Sequence, residues 1–173
     1  MTLILHGFGC LRVRSRKRSK RKGMLSMIDV KIKYLSEKAT EPKYATDGSL
    51  GMDLAAALEE PVVLKSGERI AVPTGLAIQI PDGWGAFVFP RSGLSLRSGI
   101  TMCNCVGVID TDYTGELKVA VINVSDKDFT INSGDRIAQL VFLPVEKARL
   151  VRAESLDDTE RGAGGFGSTG IQA

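Results

Sequence analysis

Residues 117–142 read Leu117-Lys-Val-Ala-Val-Ile-Asn-Val-Ser-Asp-Lys-Asp-Phe129-Thr-Ile-Asn-Ser-Gly-Asp-Arg136-Ile-Ala-Gln-Leu-Val-Phe142. Three short apolar runs lie within this stretch, Leu117–Ile122, Phe129–Ile131 and Arg136–Phe142, and Ser133-Gly134 turns the chain between the last two. Runs of that length, rich in β-branched residues and bounded by turn signals, read as strands. The pattern extends upstream through Pro61–Leu64, Arg69–Val72, Leu76–Ile80 and Ala86–Phe89, punctuated by Asp47-Gly48, Ser66-Gly67 and Pro81-Asp82-Gly83. Nearer the start, Ile28, Val30, Ile32 and Tyr34 alternate with Asp29, Lys31 and Lys33. That period of two predicts a half-buried strand. Only Ser92–Arg97 suits a helix, and a short one. Many short strands at regular intervals predict an all-β barrel or sandwich.

The chain of 173 residues is the size of one domain. It contains no apolar run long enough for a membrane helix. Its formal charge of +3 is unevenly distributed. Residues 1–26 carry eight basic and no acidic side chains, leaving the rest with 15 basic against 20 acidic, a net of −5. The positive surplus therefore belongs to an N-terminal appendix. The one histidine, His6, lies there too, which excludes a Ser-His-Asp or Cys-His nucleophile and a His-ligated zinc from the body. Cys103 and Cys105, at i and i+2, would share one face of a strand and are expected to be small buried hydrophobes. An odd cysteine count without a signal peptide fits a reducing, cytoplasmic setting.

The basic run Arg12–Lys22 follows an apolar stretch, the reverse of a secretory signal. It admits three readings: a transit-like or nuclear address, a nonspecific nucleic-acid arm, or residues upstream of a start at Met24 or Met27. In each case disorder is expected, since little apolar surface is available to offset the ordering cost. At the other end, Gly162, Gly164, Gly165, Gly167 and Gly170 crowd the last twelve residues. This reads either as a flexible end or as a phosphate clamp, in which glycine lets backbone N–H groups approach anionic oxygens. No Gly-Lys-Ser/Thr follows, so it is not a Walker loop. The chain thus divides into a basic extension (1–26), a β-barrel core (27–155) and a Gly-rich arm (156–173).

Two segments concentrate polar chemistry. In Gly107-Val-Ile-Asp-Thr-Asp-Tyr-Thr-Gly115, Asp110 and Asp112 flank a turn between apolar strands. Turns favour Asp and Gly on their own account. Asp110, however, closes an apolar run, where partial desolvation suits a general base acting on water. Tyr113 offers a flat ring to a sugar or base. In Pro90-Arg-Ser-Gly-Leu94, Arg91, Ser92 and Gly93 set a cation and backbone donors at a turn or helix start, a weak signal for anion binding.

Taken in order, Gly51-Met-Asp-Leu54, Pro90–Leu94, Gly107–Gly115, Gly134-Asp-Arg-Ile-Ala-Gln139 and Arg161-Gly-Ala-Gly-Gly-Phe-Gly-Ser-Thr-Gly170 resemble the five motifs of the trimeric deoxyuridine triphosphatases, the dUTP diphosphatases. The resemblance spans about residues 27–171. It implies a jelly-roll-like distorted β-barrel with one short helix and a flexible C-terminal arm. It also implies a homotrimer with active sites at subunit interfaces, and Mg²⁺-dependent hydrolysis of dUTP to dUMP and pyrophosphate.

By that pattern Asp110 would activate the water that attacks the α-phosphorus and touch the sugar 3′-hydroxyl. Tyr113 would pack on the deoxyribose where a 2′-hydroxyl would clash. Asn104 and the hairpin backbone through Val108 and Ile109 would read uracil, with Lys118 nearby. Arg91, Ser92, Gly93 and Gln139 would hold phosphates. Arg161, Gly167, Ser168 and Thr169 would grip the γ-phosphate while Phe166 stacks on uracil. Mg²⁺ would bridge triphosphate oxygens largely through waters, with Asp53 the nearest carboxylate. Leu50 stands where the family often has a small residue and is expected to alter local packing only.

Rival readings remain in other classes. A dCTP deaminase or bifunctional deaminase relative shares the fold but needs another acid–base arrangement. A nucleotide sensor without turnover would not need Asp110, Arg161 and Phe166. Nucleic-acid binding through residues 1–26 would be salt-sensitive and lost on their removal.

Overall fold

A computed structural model describes residues 27–165 of the chain. The disorder expected of residues 1–26 and the roles expected of Phe166, Gly167, Ser168 and Thr169 lie outside the described residues. In chain order the elements are β1 (Lys31–Tyr34), β2 (Lys43–Tyr44), β3 (Met52–Ala55), β4 (Val62–Leu64), β5 (Arg69–Pro73), β6 (Leu76–Gln79) and β7 (Trp84–Pro90). They continue with α1 (Ser92–Ser98), β8 (Ile100–Met102), β9 (Gly107–Ile109), β10 (Lys118–Asn123), β11 (Phe129–Ile131) and β12 (Arg136–Pro144). No helix among the described residues is long and apolar enough to cross a membrane.

The strands form four small antiparallel sheets around one core: β1-β6, β5-β10-β8, β11-β4, and the five-stranded β2-β3-β12-β7-β9. This is a jelly-roll-like β fold with one short helix. Alternation decides what each strand buries. In β10, Val119, Val121 and Asn123 face inward while Lys118 is exposed. Leu54, Leu64, Val72, Leu76, Ile100 and Leu140 complete the buried centre. Asn123 is tolerated there because all its polar atoms are used. Its Nδ2 donates to Leu64 O (2.9 Å) and Lys127 O (2.7 Å), and its Oδ1 accepts from Ser125 N (2.9 Å) and Oγ (2.7 Å).

Helix α1 stops at Gly99, whose φ of 65° is left-handed and whose N–H bonds Ser95 O at 3.0 Å. A side chain at Gly99 would also meet Ser125, its Cβ 2.6 Å from the Ser125 Cβ.

The strands read from 61–89 and 117–142 and the helix after Pro90 all form. Five expectations are corrected. Strand β1 forms from Lys31, but all four of its residues are exposed; Ile28 and Val30 just before it are half-buried, and among the described residues β1 pairs with β6 alone. Cys103 and Cys105 are exposed rather than buried: strand β8 ends at Met102 and the chain turns, with Cys105 at a left-handed φ of 58°. The run before Asp110 is the edge strand β9, not a buried one, and Val108 is 63% exposed. The strands flanking the Asp110–Gly115 turn, β9 and β10, do not pair as a hairpin, since β9 joins β7 and β10 joins β5 and β8. Leu50 is 81% exposed, so its size perturbs no packing.

Candidate active site

The polar residues singled out by sequence gather in two places. The first lies where β3, β12 and β7 run side by side, with Gln139 in register with both Asp53 and Phe89. A register shift between Arg136 and Ala138 lets both Ile137 and Ala138 be buried, as a bulge does when it re-aims a strand. Asp53 sits between two guanidinium groups. Its Oδ1 is 2.9 Å from Arg91 Nε and its Oδ2 is 2.9 Å from Arg136 Nη1. Arg91 Nη1 also donates to Arg136 O at 3.1 Å. Gln139 Nε2 donates to Pro90 O at 3.0 Å, which fixes the amide beside the strand end. Ser92 and Gly93 open α1 directly after Arg91, so first-turn N–H groups of the helix begin there. The Arg97 guanidinium folds back over Gly93, with Nη2 3.0 Å from where a Cβ would stand.

Two arginines sharing one carboxylate leave a net positive charge at this end of the sheet, which suits a polyanion. The donor set does not suit a metal held by protein: both Asp53 oxygens are committed to arginine. Among the described residues no three His, Cys, Asp or Glu side chains assemble a metal cage.

The second place is a cleft of about 210 Å³ lined by Val108, Ile109, Asp110, Tyr113, Glu116, Leu117 and Lys118. Asp110 and Tyr113 end one turn, closed by the Tyr113 N–H bonding Asp110 O at 3.1 Å. The Tyr113 hydroxyl donates to Glu116 O at 2.8 Å, holding the ring along the loop. Glu116 accepts from Gly75 N through Oε1 (3.0 Å) and faces Lys118 Nζ through Oε2 (3.5 Å). Asn104 lies in the turn after β8, its Nδ2 3.5 Å from the position a Gly107 Cβ would take. The Asp110 carboxylate is exposed to solvent. The described residues do not supply the partial desolvation expected of it, because β9 is an edge strand.

The two groups do not meet within one chain. Ile109 pairs with Ala86 near one end of β7, whereas Arg91 follows the other end at Pro90. Five residues of extended strand separate them, about 16 Å at ~3.3 Å per residue. Arg161 joins neither group. Its Nε donates to Gly164 O at 2.8 Å within its own turn, and residues 146–160 that lead to it are exposed throughout.

Sequence reading missed Arg136 and Glu116. Arg136 was legible only as part of a quoted motif, and nothing local pairs it with Asp53, 83 positions away. The partner of Glu116, Gly75, is equally remote, 41 positions away.

Comparison with known proteins identifies the class. A family model described as dUTPase matches residues 37–170. A deoxyuridine 5'-triphosphate nucleotidohydrolase of Desulfitobacterium hafniense is 51% identical over 150 residues, covering 85% of this chain and 99% of that protein. The Rickettsia felis protein of the same name is 47% identical over 148 residues, covering 85% and 100%. Among solved structures, Staphylococcus bacteriophage 80alpha dUTPase with dUPNHPP superposes at a TM-score of 0.77 with 28% identity, covering 84% of this chain and 100% of that one. A mutant dUTPase from phage phi11 of S. aureus, described as revealing coordination of a structural Mg(II) ion, gives 0.69 with 25% identity, covering 76% and 100%. The chain belongs to the dUTPase family.

Proposed function

We propose that the protein hydrolyses dUTP to dUMP and pyrophosphate at sites shared between copies of the chain. The observation that carries this reading is the cleft, in which Asp110 and Tyr113 close one turn beside the edge of β9. Asp110 takes a proton from a water that attacks the α-phosphorus. The bond from that phosphorus to its bridging oxygen breaks, and pyrophosphate leaves. Asp110 also meets the 3′-hydroxyl, Tyr113 packs on the deoxyribose, and Asn104 with the backbone of Val108 and Ile109 reads uracil. Lys118 stands at the cleft wall. A base on an edge strand is effective once substrate and a neighbouring surface exclude water around it.

Arg91, Ser92, Gly93 and Gln139 hold phosphates. A base and the cations serving the same phosphate must lie within hydrogen-bond reach, not about 16 Å apart. The separation along β7 therefore supports a site completed by a second copy, and a homotrimer is the assembly we propose. The arm, residues 156–173, supplies Arg161, Gly167, Ser168 and Thr169 to the γ-phosphate and Phe166 to uracil. The exposed course of residues 146–163 after β12 is consistent with reaching a neighbour.

Mg²⁺ would fit as a companion of the triphosphate rather than of a carboxylate cage and would supply neutralisation of phosphate charge; Asp53, whose oxygens both bind arginine, would hold it only through water. Free, exposed thiols at Cys103 and Cys105 are consistent with the cytoplasmic setting we propose.

The test offers dUTP, dCTP, dTTP and UTP with Mg²⁺ and follows pyrophosphate and ammonia. Pyrophosphate from dUTP alone is expected. Ammonia from dCTP would support the deaminase reading instead, and equal turnover of UTP would sink the assignment.

A further inference from the structure

The tip of the loop beyond Asp110 contains one close approach that neither strand pairing nor turn geometry requires. Gly115 is not among the glycines with left-handed φ, so its backbone could carry any side chain. Its surroundings could not. A Cβ built on Gly115 would lie 2.7 Å from Tyr113 Oη, 2.8 Å from Cζ and 3.0 Å from Cε2. The hydroxyl end of the Tyr113 ring thus closely approaches Gly115. At its far end the hydroxyl donates to Glu116 O at 2.8 Å. At its near end the Tyr113 N–H is bonded to Asp110 O. The same ring walls the cleft. The three atoms nearest to an added methyl all belong to that ring.

We propose that Gly115 is a specificity-determining positioning residue: its missing side chain seats the Tyr113 ring at the depth that discriminates deoxyribose from ribose. This rests on the proposed dUTP hydrolysis and on Tyr113 facing the sugar. The physical basis is that rejecting one added hydroxyl requires a wall placed to within a fraction of an ångström, since a slack wall discriminates weakly. An alanine at 115 would push the ring off the loop and break its hydroxyl bond. The fold would be spared, because the ring is half exposed and can move. Selectivity would then change while stability would not, which a merely structural glycine would not produce.

The experiment measures kcat and KM for dUTP and UTP in the full-length protein, in Gly115→Ala, in Tyr113→Ala and in the double variant, with Tm for each. In Gly115→Ala the ratio of kcat/KM for dUTP over UTP should fall about 10-fold or more with Tm nearly unchanged. Added to Tyr113→Ala, the same substitution should change the ratio less than about twofold, because the ring it acts through is gone. Tyr113→Phe, which removes only the hydroxyl bond, should also lower the ratio, and it provides a test even if Gly115→Ala does not fold. A Gly115→Ala protein with unchanged selectivity would overturn the proposal, as would an equal effect in the presence and absence of the Tyr113 ring. If the unsubstituted protein itself turns over UTP as fast as dUTP, the proposed function fails and this inference with it. If it is selective and only the variants behave otherwise, the inference alone fails.

Discussion

Asp110 and Asp53 are both carboxylates in quoted motifs, and their surroundings give them different work. Asp110 is exposed at the end of an edge strand, with no arginine on its oxygens among the described contacts. It is available to take a proton. Asp110→Asn should lower kcat by about 100-fold or more, the usual weight of a general base, while nucleotide binding measured by calorimetry persists. Asp53 is bound at both oxygens by Arg91 and Arg136. Removing its charge frees two guanidinium groups whose position it sets. Asp53→Ala should therefore raise KM for dUTP about 10-fold with a smaller change in kcat. An unchanged KM would show that Arg91 needs no such restraint.

At the scale of elements, the arm and the β10 strand make opposite demands. The arm runs exposed from the end of β12 to the turn around Arg161. It contributes little burial to the body, so a protein lacking residues 161–173 should keep its thermal transition yet lose most dUTP turnover. Full activity in that truncated protein would refute the clamp. In β10, Asn123 ties the strand to β4 and to the following turn through four hydrogen bonds. Asn123→Leu would remove the donor that the Leu64 and Lys127 carbonyls share. Urea unfolding should register a loss of about 2–3 kcal/mol, the cost of buried polar groups left unmade.

For the whole molecule, several exposed faces fit the proposed assembly. Strand β1 exposes Ile32 and Tyr34, Leu35 and Val63 are about half exposed, and Asp110 and Arg91 stand at opposite ends of β7. Sedimentation should report a mass near three times the chain's 18.6 kDa. A monomer with full turnover would contradict the shared site. Residues 1–26 carry the positive surplus over an acidic body. Their removal should abolish any salt-sensitive nucleic-acid binding and leave dUTP hydrolysis intact.

Strand periodicity, turn glycines and the order of five motifs were all local patterns, so the β class, the short helix after Pro90 and the candidate residues could be read from the chain. Periodicity records which side of a strand is apolar, not what covers it. That is why β1 and β9 were legible as strands but not as uncovered ones. The two-residue β2 and the short β3 and β8 escaped because their pairing, not their composition, makes them strands. The clamp on Asp53 and the separation of Asp110 from Arg91 follow from register between segments far apart in sequence. Such contacts depend on how twelve strands are laid against one another, a property no local pattern encodes.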